Sequence, residues 1–154
     1  MADRKLLKNE VIKEVLACAN NPIYFIENYC KVQHEKRGLV LFKLYEYQKR
    51  ALKHFIGHDK VIVNKARQLG FSTLTAAFIV WLIMFHYDKK VLIIATKAEV
   101  AKNMITKIKI MLNKLPRWMF LSEIEINRAH MVGLTNRSWV KAVATSEDAG
   151  RSEA

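Results

Sequence analysis

Residues 61–73 read Val61-Ile62-Val63-Asn64-Lys65-Ala66-Arg67-Gln68-Leu69-Gly70-Phe71-Ser72-Thr73. The segment begins with a short β-branched run, and a mostly apolar stretch follows from residue 72 to about residue 86. β-branched runs favour strands, and a long apolar run after a glycine favours a buried helix. The segment therefore predicts a strand, a loop that ends at Gly70, and a helix.

The sequence on both sides of this segment predicts an α/β fold. Residues 91–95 form a second apolar run, and residues 100–115 have the apolar spacing of a helix that Pro116 ends. This order predicts a parallel sheet with flanking helices, and the glycine-closed loop between the first strand and its helix is typical of the P-loop NTPase type. Residues 124–143 predict antiparallel strands or a hairpin. Residues 1–43 are interpreted as a helical N-terminal preface, and residues 44–154 as an incomplete P-loop domain that a third helix begins.

Composition limits the partners and the compartment. Lys and Arg number 26 against 14 Asp and Glu, and a net charge of +12 indicates a polyanionic partner. Nucleic acid, nucleotide and an acidic membrane surface all fit that charge. The apolar run at 76–85 is much shorter than the roughly 20 residues of a membrane span, and the charged N-terminus is unlike a secretory signal. Cys18 and Cys30 lack metal-ligand spacing and are interpreted as reduced core residues.

The loop resembles a phosphate-binding motif with two exchanged positions. The P-loop template is Gly, four residues, Gly, Lys, and Ser or Thr, and its backbone N–H groups bind phosphate. Gly70 and Ser72 fit, whereas Lys65 occupies the first glycine position and Phe71 the lysine position. The stem of Lys65 is long enough to return the ammonium to the phosphates, and Arg67 adds a forked donor. The alternative is an ordinary strand-to-helix turn with incidental basic residues.

These residues also resemble a family motif, the deviant Walker A sequence of tailed-phage terminase large subunits, which are DNA-packaging ATPases. Residues 21–30 and 44–50 are similar to that family's N-terminal region. The resemblance implies that ATP and Mg²⁺ bind here, with Gln48 at the adenine, Arg67 as the catalytic γ-phosphate sensor and Ser72 on the metal. The implied nucleotide-binding residues are Gln48, Lys65, Ala66, Arg67, Gln68, Leu69, Gly70, Phe71, Ser72 and Thr73.

The same resemblance implies partners and a missing part. Double-stranded DNA, the terminase small subunit and the portal protein are the implied partners. A ring of identical subunits, a location in the host cytoplasm and transiently at the procapsid portal, and a nuclease activity in the full protein are also implied. The family's ATPase needs a later strand that ends in Asp-Glu, the Walker B motif, and residues 147–152 resemble the segment before it. We therefore expect ATP binding without turnover by this chain alone.

Two other functions fit the sequence. One is a different P-loop helicase or translocase, although such an enzyme would normally keep Gly at position 65 and Lys at position 71, where this sequence has Lys65 and Phe71. A non-catalytic basic module that binds nucleic acid fits the net charge and the missing acidic strand. Lysines on the helix after residue 95 either contact DNA phosphates or form a solvated face; they are Lys97, Lys102, Lys107, Lys109 and Lys114.

Overall fold

The computed structural model describes residues 8–34 and 36–145. The helices are α1 (Lys8–Asn20), α2 (Pro22–Tyr29), α3 (Glu46–Gly57), α4 (Phe71–Phe85) and α5 (Ala98–Asn113), with a 3₁₀ turn at Arg117–Met119. The strands are β1 (Lys31–His34), β2 (Gly38–Leu41), β3 (Lys90–Ala95), β4 (Ile124–Arg128), β5 (Met131–Leu134) and β6 (Trp139–Ala144).

Helix α4 is the centre of the core. Its side chains are apolar on nearly every face, which is the pattern of a helix surrounded by protein. Leu74, Val80 and Ile83 are fully buried. Helix α2 packs on it through an edge-to-face contact between Phe25 and Phe85, whose ring centroids are 5.2 Å apart. The predicted helix from residue 72 to about residue 86 is confirmed within one residue at each end.

The main sheet has four strands in the order β3-β6-β5-β4. β3 and β6 are parallel, whereas β5 pairs antiparallel with both β4 and β6. The α/β class and the antiparallel pairing between residues 124 and 143 are therefore confirmed, and the sheet is mixed. Among the strands of residues 8–34 and 36–145, β3 and β6 are the one parallel pair, and this pairing was not predicted: the expected parallel partner of β3 was the segment at residues 61–63.

The N-terminal preface contains a hairpin as well as helices. β1 and β2 form a separate antiparallel pair within residues 1–43, for which the sequence predicted helices. Gly38 begins β2 with a φ of 68°, a conformation that suits glycine. β1 contains one apolar residue, Val32, so it lacked the alternation of polar and apolar residues that would have predicted a strand.

The strand predicted at residues 61–63 is wrong for the described structure. These residues have no strand assignment, and Ile62 is 98% exposed. Two open clefts, of about 430 and 450 Å³, separate this segment from β3: Val61 lines one and Val63 the other, each opposite β3 residues. A strand exists only where a neighbouring edge accepts its hydrogen bonds. Residues 61–63 have β-branched side chains but no neighbouring strand with which to pair.

A buried asparagine joins the end of α4 to the turn between β5 and β6. The Asn136 side-chain amide donates to the carbonyls of Ile83 at 2.8 Å and His86 at 3.1 Å. Its oxygen accepts from the backbone N–H of Ser138 at 3.0 Å. Since the last carbonyls of a helix have no partner within the helix, Asn136 caps α4 from outside. The contact fixes β6, and through it β3, against α4.

The two cysteines are free and buried, as predicted. Burial, with a smaller contribution from Glu14, raises the pKa of the Cys18 thiol to about 12. Burial likewise raises the pKa of Cys30. Within residues 8–34 and 36–145, no cluster of three His, Cys, Asp or Glu side chains is placed to hold a metal ion. None of the helices in that part of the chain has the length and apolarity needed to cross a membrane.

Candidate functional site

The loop before α4 ends in a left-handed glycine. Gly70 has φ 70° and ψ 11°, and its carbonyl accepts the first helical hydrogen bond from Leu74 N at 2.9 Å. The first N–H groups of any helix lack intrahelical partners and carry a partial positive charge. Among the described residues, no side chain caps this end of α4, and the first turn of the helix contains no acidic residue. These features leave the backbone donors of the first turn free for an anion.

Two side chains of helix α3 form hydrogen bonds with the loop. The Gln48 Nε2 group donates to the Leu69 carbonyl at 3.1 Å, and the Tyr47 hydroxyl donates to the same carbonyl at 3.2 Å. The other end of the Gln48 amide accepts from the backbone N–H of Tyr45 at 3.0 Å. A Cβ added at Gly70 would lie 2.9 Å from Gln48 Nε2. The loop is therefore built against Gln48, and the fit requires a glycine at position 70.

This arrangement gives Gln48 a structural role that the sequence analysis did not anticipate. Its side chain is 1% exposed, and both ends of its amide have protein partners. A contact with adenine, the role predicted from resemblance, would use the second N–H of this amide or require the side chain to turn. The adenine role stays a prediction.

An aromatic stack lies beside the loop, and sequence reasoning did not find it. Tyr45 stacks on Tyr47 with ring centroids 5.5 Å apart, and Tyr47 stacks on Phe71 at 6.1 Å. Tyr45 is 66% exposed, so the outer end of the stack faces solvent. Phe71, which replaces the usual lysine of the motif, thus packs against the helix that holds the loop. The spacing of Tyr45 and Tyr47 before the motif was the signal.

The two predicted cations lie at the loop, and no carboxylate of the described residues forms an ion pair with either. The Lys65 ammonium donates to the Ala66 carbonyl at 3.1 Å and lies 6.0 Å from the centre of the Phe71 ring. Arg67 is exposed, as are Ala66 and Gln68. Within residues 8–34 and 36–145, ion pairs join Lys49 to Glu27 and Glu46, and Arg137 to Asp88. The positive charge of Lys65 and Arg67 is therefore uncompensated.

Ser72 and Thr73 point into different surroundings. Ser72 is exposed and lines the cleft of about 450 Å³ together with Lys65 and the end of β3 at residues 94–96. Thr73 is half-buried, and its hydroxyl accepts a hydrogen bond from the Lys107 ammonium at 3.1 Å. The structure thus places Ser72, the predicted metal ligand, in the same cleft as Lys65, whereas Thr73 faces α5.

The acidic residues considered in the sequence lie elsewhere. Glu123 precedes β4, and Glu125 lies within it, at the opposite edge of the main sheet from β3. Glu147 and Asp148 fall outside the described residues. In the described part of the chain, no carboxylate lines the cleft that contains Ser72.

Comparison with known proteins bears on the fold. No protein-family model matches the sequence. The crystal structure of the HK97 bacteriophage large terminase matches 82% of this chain, with a TM-score of 0.65 and 22% sequence identity. The fold is similar to that of a phage large terminase. The match covers 27% of the HK97 protein, so this chain corresponds to about a quarter of that protein's length.

The lysines on and just before α5 differ in exposure and in hydrogen bonding. Lys102 and Lys114 are exposed, and Lys97 precedes the helix with an equally exposed side chain. Lys107 and Lys109 are half-buried, and the Lys109 ammonium donates to the Arg128 carbonyl at 2.7 Å. The five lysines therefore do not form one solvated face.

Proposed function

We propose that this chain binds Mg-ATP at residues 65–73 and that it is part of a viral DNA-packaging motor of the terminase large-subunit type. The observation that carries the proposal is the left-handed Gly70 at the uncapped start of α4, with Lys65 and Arg67 unpaired beside it. The terminase-like fold supports the same function. Backbone donors, a helix N-terminus and nearby cations together form a site for a polyphosphate.

Each residue of the loop has a proposed role. The N–H groups of residues 71–73 donate to phosphate oxygens, and Lys65 exchanges the Ala66 carbonyl for a phosphate. Arg67 offers its guanidinium to the γ-phosphate, where negative charge is redistributed during transfer. Ser72 offers its hydroxyl to Mg²⁺ from the cleft that it shares with Lys65. Gln48 and Tyr47 keep the Leu69 carbonyl, and hence the loop, in place.

Hydrolysis requires groups that the described residues do not bring to this loop. Phosphoryl transfer to water needs a carboxylate to hold Mg²⁺ and a residue to orient the water. The proposal is therefore binding without turnover for this 154-residue chain. The parallel P-loop-type sheet is part of the same proposal.

The proposed partners follow from the proposed motor. They are double-stranded DNA, the small subunit and the portal protein, with the active form a ring of identical subunits in the host cytoplasm. The net charge of +12 suits the DNA partner. A non-catalytic nucleic-acid-binding module is the competing function, favoured by the absence of carboxylates from the described part of the cleft.

Mg-ATP is expected to raise the Tm of the chain, because a ligand that binds the folded state stabilises it. Lys65→Ala and Arg67→Ala each remove a charged donor. Each is expected to weaken Mg-ATP binding by about tenfold or more. Thermal unfolding with and without Mg-ATP, together with calorimetric titration, measures both effects.

Lys60→Ala is the matched control, since Lys60 is an exposed lysine that precedes the loop. It should bind Mg-ATP as the unchanged chain does. An unchanged Tm at saturating Mg-ATP, or an equal loss of affinity in all three variants, would favour the non-catalytic module.

A further inference from the structure

A second basic pocket lies next to the loop, between the β1–β2 hairpin and α5. Its volume is about 80 Å³, which is room for several water molecules. The polar residues that line it are Lys31, Gln33, Thr73 and Lys107, and three apolar side chains complete the wall. We call it the Lys107 pocket. It is separate from the cleft that Ser72 and Lys65 share.

Lys107 carries a charge that no carboxylate in the described part of the chain neutralises. Its ammonium is half-buried and donates to the Thr73 hydroxyl at 3.1 Å. In residues 8–34 and 36–145, no carboxylate forms an ion pair with it, and none lines the pocket. An ammonium has three donors, so Thr73 uses one of them. A partly buried charge without a counter-ion is costly, and an anion that enters the pocket removes that cost.

The other polar groups of the pocket also favour an anion. The Thr73 hydroxyl accepts from Lys107, and its own hydrogen is therefore available to donate. Lys31 brings a second positive charge to the rim, and the side-chain amide of Gln33 adds N–H donors. Farther along the hairpin, Lys36 and Arg37 are exposed and follow Glu35, which lies outside the described residues.

We infer that the Lys107 pocket binds a phosphate group, with Lys107 as its principal contact. The phosphate belongs either to a nucleic-acid backbone that runs along the hairpin or to a nucleotide. Both sources present the same tetrahedral oxyanion, and Lys binds it as a point charge. The inference does not require the ATP site proposed above, although the two sites share Thr73.

Binding of a short DNA duplex and of Mg-ATP to Lys107→Met tests this inference. For a backbone phosphate, the variant is expected to bind the duplex several-fold more weakly, with the slope of log affinity against log salt reduced by about one. For a nucleotide phosphate, the affinity for Mg-ATP falls instead. Lys107→Arg keeps the charge and should restore most of the lost affinity.

Lys13→Met is the matched control, because Lys13 is an exposed lysine of helix α1 outside the pocket. Unchanged affinity of Lys107→Met for both ligands would overturn the inference, and so would an equal loss in Lys13→Met. Circular dichroism of each variant identifies losses that come from unfolding, and the Lys107→Arg result then decides. A chain that binds duplex through Lys107 but does not bind Mg-ATP would contradict the proposed function alone.

Discussion

Gly70→Ala is expected to lower the free energy of unfolding by about 2–3 kcal/mol and to abolish Mg-ATP binding. Gly70 has φ 70°, and an alanine pays about 1–2 kcal/mol for that left-handed conformation. The new Cβ would also lie 2.9 Å from the Gln48 Nε2 group, whose position two hydrogen bonds fix. Either the Gln48–Leu69 hydrogen bond or the loop must move. Chemical denaturation and calorimetric titration measure the two effects.

Gly57→Ala is the control for this substitution. Gly57 ends α3, and a Cβ added there meets no atom within 4 Å. Alanine is also the better helix former, so we expect no loss of stability and no change in nucleotide affinity. If Gly70→Ala were as stable as Gly57→Ala and still bound Mg-ATP, the described conformation of the loop would be wrong.

Asn136→Ala is expected to cost about 3 kcal/mol of folding free energy. The substitution removes three hydrogen bonds from a side chain that is 7% exposed. It leaves the Ile83 carbonyl and the Ser138 N–H without these partners, and unpaired buried groups retain their full desolvation cost. Chemical denaturation, followed by circular dichroism, measures the change.

Asn127→Ala provides the comparison, because Asn127 is an exposed residue of β4. A surface substitution of this kind should change the free energy of unfolding by no more than about 0.5 kcal/mol. Equal and small effects in the two variants would mean that Asn136 does not cap α4. Loss of the cap should also loosen the contact between α4 and β6.

The helices that could be predicted from the sequence are those whose signals lie within their own segment. Helix α4 is apolar on nearly every face and follows a glycine, and both signals act within the segment itself. Pro116 limits the extent of α5 in the same way. Residues 61–63 were predicted as a strand from their β-branched side chains alone. A strand also needs a neighbouring strand to pair with, and the local sequence does not encode that partner.

In the candidate site, too, local sequence features were predictable and contacts between distant residues were not. Residue types and spacing selected Lys65, Gly70 and Ser72 as candidates, because the P-loop template that they resemble is a local sequence. The Gln48–Leu69 and Lys107–Thr73 hydrogen bonds join residues 21 and 34 positions apart. Those pairs follow from how α3 and α5 pack around α4, which the motif does not specify. Asn136 was missed for the same reason, as its partner Ile83 is 53 positions away.

Backbone amide resonances of the ¹⁵N-labelled chain, recorded during titration with Mg-ATP, test the central claim most directly. If the loop binds the triphosphate, the largest chemical-shift changes should occur at Gly70, Phe71 and Ser72, and Lys65→Ala should reduce them. Saturating Mg-ATP that leaves those three amides unchanged, or that shifts amides elsewhere in the chain instead, would contradict it.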